Sequence, residues 1–251
     1  MAESPALTGI VRTDPITFET EIERLERIED VWAATVAFAR SRGVRRIGYH
    51  HLPPPGATDA GCLRVENDGF GEALLAQYLA ARQAGVAVLA TNALNCVQPV
   101  YLDELERQPE LTERERSHLA RYRAAGVTHG VAFSVYGPNG RNGLFAAELP
   151  VRRLPAEDIG ALRWAGQAMH LRYCDLIVPQ LGRPPSLSDR EAEVLAWVAR
   201  GKSNASIGEI LGISSHTVDA HLRRIYLKLG VVDRLSAALR GLGFGLIRLD
   251  A

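Results

Sequence analysis

The strongest constraint on this fold lies between Leu187 and Leu246, where three short apolar-periodic stretches each begin at a serine. Ser188-Asp189-Arg190-Glu191 has the spacing of a capping box. The serine oxygen accepts from a backbone N–H three residues on, and the glutamate reaches back to the serine's own N–H. The helix this opens turns Val194, Leu195 and Val198 inward, and Gly201 ends it. Ser203 is placed to cap a second helix carrying Ile207, Ile210 and Leu211. In the turn that follows, Gly212 permits the tight bend, Ile213 plugs the core and Ser214 caps a third helix. The stripe Val218, Leu222, Ile225 and Leu229, at steps of four and three, is the buried face of that third helix. A last helix from Asp233, with Leu235, Ala238, Leu239 and Leu242, offers a face for pairing with a second copy. Two capped helices joined by a short glycine turn make a helix-turn-helix.

At 100° per residue, the side of the third helix opposite its apolar stripe holds His216, Ala220, Arg223 and Arg224, with Asp219 on the flank. A small residue between basic ones lets a helix enter a major groove closely while its arginines reach guanine edges or phosphates. An aspartate is unusual against a polyanion; it either accepts from a cytosine amino group or orients Arg223 at i+4. The plainer alternative, a small helical bundle with a solvated basic face, fits the same pattern. Net charge is zero over the 251 residues but +3 from Arg183 onward, the sign a DNA-binding tail needs.

The rest of the chain reads as a separate α/β domain. Helical periodicity runs from Thr20 to Arg40 behind a loose leader over residues 1–17. Arg46–His50 and Cys62–Asn67 are strand candidates, with Pro53-Pro54-Pro55-Gly56 between them as a breaker. Gly71–Arg82 is a helix, and Val86–Tyr101 is ambiguous. A second capping box, Thr112 to Glu115, opens a helix that Gly126 closes. Val131–Tyr136 and Leu144–Leu149 flank Gly137-Pro138-Asn139-Gly140 as a hairpin, and Ala156 to about Ile177 is a further helix. The expected fold is therefore α/β plus all-α. An N-terminal α/β/α sandwich occupies residues 1–177, a linker 178–186, and a four-helix helix-turn-helix domain 187–251.

The run from Leu187 to Glu191, the segment Ala199 to Asn204, Ile213-Ser214, Thr217-Val218, His221 and Lys228-Leu229-Gly230 together resemble the signature of LuxR-type helix-turn-helix domains. The resemblance implies that Ser203, Ser214, His216, Thr217, Asp219, Ala220, Arg223, Arg224 and Lys228 contact DNA. Where this chain has Asp219, the family more often has Lys or Glu. The first domain resembles, over about residues 20–175, the autoinducer-binding domain of quorum-sensing regulators. Gly126 to Phe133 and the hairpin after it carry that resemblance best.

That resemblance implies a closed pocket for an N-acyl homoserine lactone, held by two Trp, an Asp, a Tyr and a Ser. Aligning Tyr78 with the Tyr puts Leu74 at the first Trp and Ala87 at the Asp; counting back without gaps from Gly126 puts the second Trp near Leu102, and Ala146 falls near the Ser, with Phe133 close by. Only Tyr78 keeps the family's chemistry. No Asp-Pro occurs between Asp68 and Leu102 to restore the motif. Leaving the ligand's amide N–H without its acceptor costs about 1–3 kcal/mol. The expectation is a solo regulator whose pocket takes a different, more apolar ligand. The alternatives are a ligand-independent regulator that dimerises or binds a protein partner through this domain, and an ordinary lactone receptor.

The partners implied are two-fold symmetric double-stranded DNA, a second copy of the chain, and a small molecule or protein. No enzyme activity, cofactor or metal is expected. His50-His51, His129 and His170 stand at no H-x-x-x-H spacing, and Cys62, Cys96 and Cys174 are too widely spaced for a disulfide or zinc framework. Gly241 to Gly245 is no phosphate loop, since no strand precedes it. Without a basic-then-apolar leader, or an apolar run long enough to span a bilayer, a cytoplasmic location is expected.

Overall fold

A computed structural model of the chain describes residues 12–60, 64–181 and 185–248. It divides into two compact units. The first comprises Met1–His51, Arg64–Gly137 and Asn142–Leu176; the second comprises Leu52–Leu63, Pro138–Arg141 and Ile177–Ala251. The grouping of the two short segments with the second unit was not foreseen in the linear division of the sequence. Within that unit, Arg141 forks onto Asp59 at 3.0 and 3.2 Å, both side chains fully or nearly fully buried.

The first unit opens with helix α1 (Pro15–Glu23) and helix α2 (Ile28–Arg40). The periodicity suggested one helix from Thr20; the chain instead breaks after Glu23, and Arg172 donates to the Leu25 carbonyl at 2.7 and 3.0 Å. α1 starts inside the expected leader because Asp14 accepts from the N–H groups of Ile16 and Thr17, with Pro15 pre-set at the first helical position. Then come β1 (Arg46–Leu52), β2 (Arg64–Asp68), α3 (Glu72–Gln83), α4 (Val88–Asn95), β3 (Val100–Tyr101), the one-turn α5 (Leu102–Leu105), α6 (Glu113–Ala124), β4 (Gly130–Tyr136), β5 (Asn142–Glu148) and α7 (Ala156–Ile177). The start of the second strand expected at Cys62 lies outside the described residues. The ambiguous stretch 86–101 resolves into α4 and the two-residue β3. The Thr112–Glu115 capping box forms with both of its hydrogen bonds.

The strands make one five-stranded sheet in the order β2-β1-β5-β4-β3. β4 and β5 pair antiparallel with Phe133 opposite Phe145, and β1 pairs antiparallel with β2. Alternation along the strands sends side chains to two covered faces. On one, Ile47, Phe133, Phe145 and Ala147 meet α2 and α7. Gly166 of α7 is needed there, because a Cβ would come within 3.0 Å of the Phe133 ring. On the other, Gly48, His50, Ala132, Leu144 and Ala146 face α3, α4 and Tyr122 of α6. The result is an α/β/α sandwich.

The second unit's helices are α8 (Asp189–Ala199), α9 (Asn204–Leu211), α10 (Ser215–Leu229) and α11 (Arg234–Gly243). Val194, Leu195, Val198, Ile207, Val218, Leu222, Ile225, Leu229, Ala237 and Ala238 form its core, with Ile213 packed against it. Ile210, expected with Ile207 on the packed side, is instead exposed. Among the described residues no single helix is long and apolar enough to cross a membrane.

Candidate nucleic-acid interface and ligand cavity

The turn between α9 and α10 is set by backbone geometry. Gly212 sits at φ +65°, a left-handed conformation that costs a glycine little. At Gly208, one turn earlier, a Cβ would lie 2.6 Å from the Ile213 carbonyl oxygen, so the helix and the turn can approach only where that side chain is absent. Ser214 accepts from the Thr217 N–H at 3.0 Å, and Ser203 from the Ser206 N–H at 3.1 Å. Both serines of the expected DNA-contacting set are thus also helix caps.

α10 buries Val218, Leu222, Ile225 and Leu229 and turns outward His216, Arg223 and Arg224, with Ala220 and Asp219 half-buried between them. Asp219 and Arg223 form an i,i+4 ion pair at 2.9 Å, leaving the Arg223 side chain 78% exposed. Arg224 lies 3.0 Å from Nδ1 of His221 and 3.8 Å from Glu191. Burial, with the nearby Arg224 charge, pushes His221 below its usual value, so its neutral ring accepts from the guanidinium. Lys228 points back to Glu191 at 2.6 Å. The structure therefore brings His216, Thr217, Asp219, Ala220, Arg223 and Arg224 together on one helix, while Lys228 braces α10 against α8.

Glu191 is the residue the sequence reading undervalued. Its carboxylate accepts from the Ser188 N–H at 2.8 Å and from Lys228, and it is buried. Burial alone would raise its pKa, but the Lys228 ammonium and the Ser188 N–H outweigh that and hold it below the usual range. The capping-box spacing announced half of this role. The other half needs α10 beside α8, which no local pattern shows.

In the first unit, a cavity of about 70 Å³ lies between the sheet and α3, α4 and α6. Leu74, Tyr78 and Ala146 of the expected ligand set line it, along with Phe70, Leu89 and Tyr122. Ala87, Leu102 and Phe133 do not line it. Ala87 is buried at the N-terminus of α4, and Leu102 is fully buried against Gly130. Phe133 points to the opposite face of the sheet, stacked 5.5 Å from Phe145. The strand alternation, readable from Val131 to Tyr136, places Phe133 and Ala132 on different faces and could have shown this.

The cavity's polar groups are few. His50 and Tyr78 share a 2.7 Å hydrogen bond. Burial, aided by Arg82 and His51, pushes the His50 imidazole down to about 4, and burial pushes the Tyr78 hydroxyl up to about 12. Both are neutral near pH 7, so the bond joins an uncharged hydroxyl to an uncharged ring. Burial first, and then Glu29, raises the Glu66 carboxyl at the cavity's edge. The sequence reading named Tyr78 and missed His50, whose position in β1 places it opposite α3.

Two family descriptions match the chain. "Autoinducer binding domain" matches residues 27–173, and "Bacterial regulatory proteins, luxR family" matches residues 185–240. An HTH-type transcriptional regulator of Sinorhizobium fredii is 31% identical over 153 residues, covering 60% of this chain and 47% of that protein. The transcriptional activator SolR of Ralstonia solanacearum is 34% identical over 131 residues, covering 50% of this chain and 56% of SolR. The chain thus spans about half the length of these curated relatives. The crystal structure of Escherichia coli SdiA has a similar fold, with a TM-score of 0.64 at 20% identity, over 92% of this chain and 97% of SdiA. With one family description covering more than half of its residues and the other its helix-turn-helix, the chain belongs to the LuxR family of bacterial regulatory proteins that carry an autoinducer-binding domain.

Proposed function

We propose that this chain regulates transcription by binding double-stranded DNA as a homodimer on a two-fold symmetric site, and that its first unit takes a small, largely apolar ligand. No enzymatic role is proposed, and the site of action is the cytoplasm. The observation that carries the DNA reading is the outer face of α10. There, Arg223 and Arg224 flank the short Ala220 on a helix whose inner stripe is fully packed. Such a face approaches a major groove closely, and each helix reads one half-site. Leu235 of α11, 66% exposed, offers apolar surface for the dimer contact.

The test is selection of bound duplexes from a random pool, followed by affinity measurements on the selected site. Arg223→Ala is expected to weaken that site by about 5–150-fold. Unchanged affinity would sink the face assignment. Asp219→Asn is expected to alter base preference more than overall affinity.

The ligand reading rests on the composition of the cavity wall. Leu74 and Ala146, where the resemblance implied an indole and a hydroxyl partner for a lactone, line the cavity as apolar groups, while Ala87 lies outside it; recognition is then apolar contact plus the His50–Tyr78 pair, with Glu66 and Asn67 at the wall. A solved structure of SdiA is of its complex with octanoyl-rac-glycerol, an uncharged acyl compound, and a ligand of that chemistry suits the apolar wall here. Solvent extraction of purified protein and mass spectrometry are expected to yield one apolar molecule per chain. A melting shift of several degrees with an N-acyl homoserine lactone would overturn the exclusion of that class. One observation favours a second reading, a ligand-independent regulator using this unit for dimerisation or a protein partner. A cavity of about 70 Å³ is small beside typical ligand pockets of about 300–1,000 Å³. Extraction that yields nothing supports that reading.

A further inference from the structure

The face of the sheet away from the cavity carries a cluster that neither the DNA nor the ligand reading uses. β1 alternates, so Tyr49 and His51 point toward α7 while His50 points to the cavity. His170 and Cys174 stand at i and i+4 on α7, hence on one face of that helix. One ring nitrogen from each of His51 and His170 and the Cys174 sulfur all lie within 4.8 Å of one another. The three residues are at most 1% exposed. A sequence search for two histidines at helical spacing passes over this set, because its helical pair is His-x-x-x-Cys and its third member comes from a strand 119 positions earlier.

We propose that His51, His170 and Cys174 form a binding site for a soft transition-metal ion, with Cu⁺ the ion whose charge and coordination it fits. Two imidazoles and a thiolate are borderline-to-soft donors, which select Cu⁺ or Zn²⁺ over Mg²⁺ and Ca²⁺. Metal–ligand bonds of about 2.1 Å to nitrogen and 2.3 Å to sulfur put the ligand atoms of a three-coordinate ion about 3.8 Å apart. The His170 Nε2 to Cys174 Sγ distance is 3.7 Å, close to that separation, and the other pairs lie within 4.8 Å. The Tyr49 hydroxyl, 2.6 Å from His170 Nδ1 and 3.3 Å from His51 Nδ1, is the outer partner of the site. In the metal-bound form it would accept from His170 Nδ1–H and leave the Nε2 lone pair for the ion, the tautomer a metal ligand needs.

The choice of ion follows from charge. Cu⁺ is satisfied by three donors. It displaces the thiol proton to solvent, and cation plus thiolate is neutral, which a buried site tolerates. Zn²⁺ with the same donors keeps a net positive charge and asks for a fourth ligand. Among the described residues the cluster holds these three ligand side chains and no fourth His, Cys, Asp or Glu. The bound ion would tie β1, the strand that also carries His50, to α7.

The experiment uses the full chain with Cys62→Ser and Cys96→Ser, so that Cys174 is the remaining cysteine. The protein is stripped by a chelator and titrated anaerobically with Cu⁺ against a chromophoric Cu⁺ competitor, and in parallel with Zn²⁺ against a Zn²⁺ indicator. Expected are uptake of one Cu⁺ per chain, near-ultraviolet absorbance from thiolate-to-metal charge transfer, and a raised melting temperature. Cys174→Ser and His51→Gln should abolish this uptake while far-ultraviolet circular dichroism stays that of the parent. Tyr49→Phe should weaken it about 10–100-fold. Absence of uptake by the parent protein, or uptake unchanged in both ligand variants, would overturn the site. Tight Zn²⁺ binding with no Cu⁺ preference would overturn the assignment of the ion.

Discussion

Removing the Glu191 carboxylate should loosen the helix-turn-helix without altering its outer face. Two hydrogen bonds are lost in Glu191→Ala; the 3.8 Å ion pair with Arg224 goes as well, but that side chain is 57% exposed and adds little. The first is the reciprocal half of the α8 capping box, the Ser188 N–H bond at 2.8 Å, worth about 1 kcal/mol as one hydrogen bond. The second is the Lys228 bond at 2.6 Å. A fully buried charge-assisted bond is worth about 1.5–3 kcal/mol, but the Lys228 side chain is 38% exposed, so solvent screening brings this to about 1 kcal/mol. The sum is about 2 kcal/mol, or about a thirtyfold loss of protection for amides that exchange by opening of this unit. Glu191→Gln keeps an acceptor for the cap and loses only the charge, so about 1 kcal/mol, or about fivefold, is expected. Hydrogen exchange on α8 and α10 in the full chain measures both. The contribution also carries a pH signature. Because the folded carboxyl lies below its ordinary value of 4.5, the stabilisation is complete above that pH and is lost as pH falls through the folded value. Protection in Glu191→Ala equal to the parent, or equal loss in the two variants, would refute the assignment of Glu191 as the brace.

Gly208→Ala should destabilise the second unit by about 1–3 kcal/mol, since the new Cβ meets the backbone oxygen of Ile213 at 2.6 Å and a carbonyl cannot swing away; a melt of the full chain reads it. His50 should make the first unit acid-sensitive. With the folded imidazole at about 4 against 6.5 in the open chain, the unfolded state binds the extra proton between those values. Stability is then full above pH 6.5, falls by about 2–3 kcal/mol as pH drops to 4, and levels below. Urea midpoints at pH 7, 5.5 and 4 should show this, with a flatter profile in His50→Gln. Tyr78→Phe leaves the His50 nitrogen without its 2.7 Å partner and should cost about 1–3 kcal/mol by chemical denaturation. Gly143→Ala places a Cβ 2.6 Å from the Tyr49 ring and 2.9 Å from His170 Nδ1, and should broaden or shift the histidine resonances of that cluster before it alters α10.

Local spacing in the sequence records the helix-turn-helix nearly residue by residue. The three serine caps, the glycine turn and the 4-3-4 stripe of α10 are interactions within a few residues, so spacing records them, and the structure repeats each. The strands of the hairpin, the Thr112 cap and α7 were legible for the same reason. The break between α1 and α2 was not, because apolar periodicity runs on through a bend that the distant Arg172 helps to hold. Tertiary structure alone decided which side chains share a space. It set Phe133 on the far side of the sheet from the cavity, paired His50 with Tyr78 across 28 positions, and drew Lys228 onto Glu191. It also closed His51 of β1 against His170 and Cys174 of α7. Each of these depends on which elements the sheet order and the helix packing bring together, and no local spacing encodes a contact between residues so far apart in the chain.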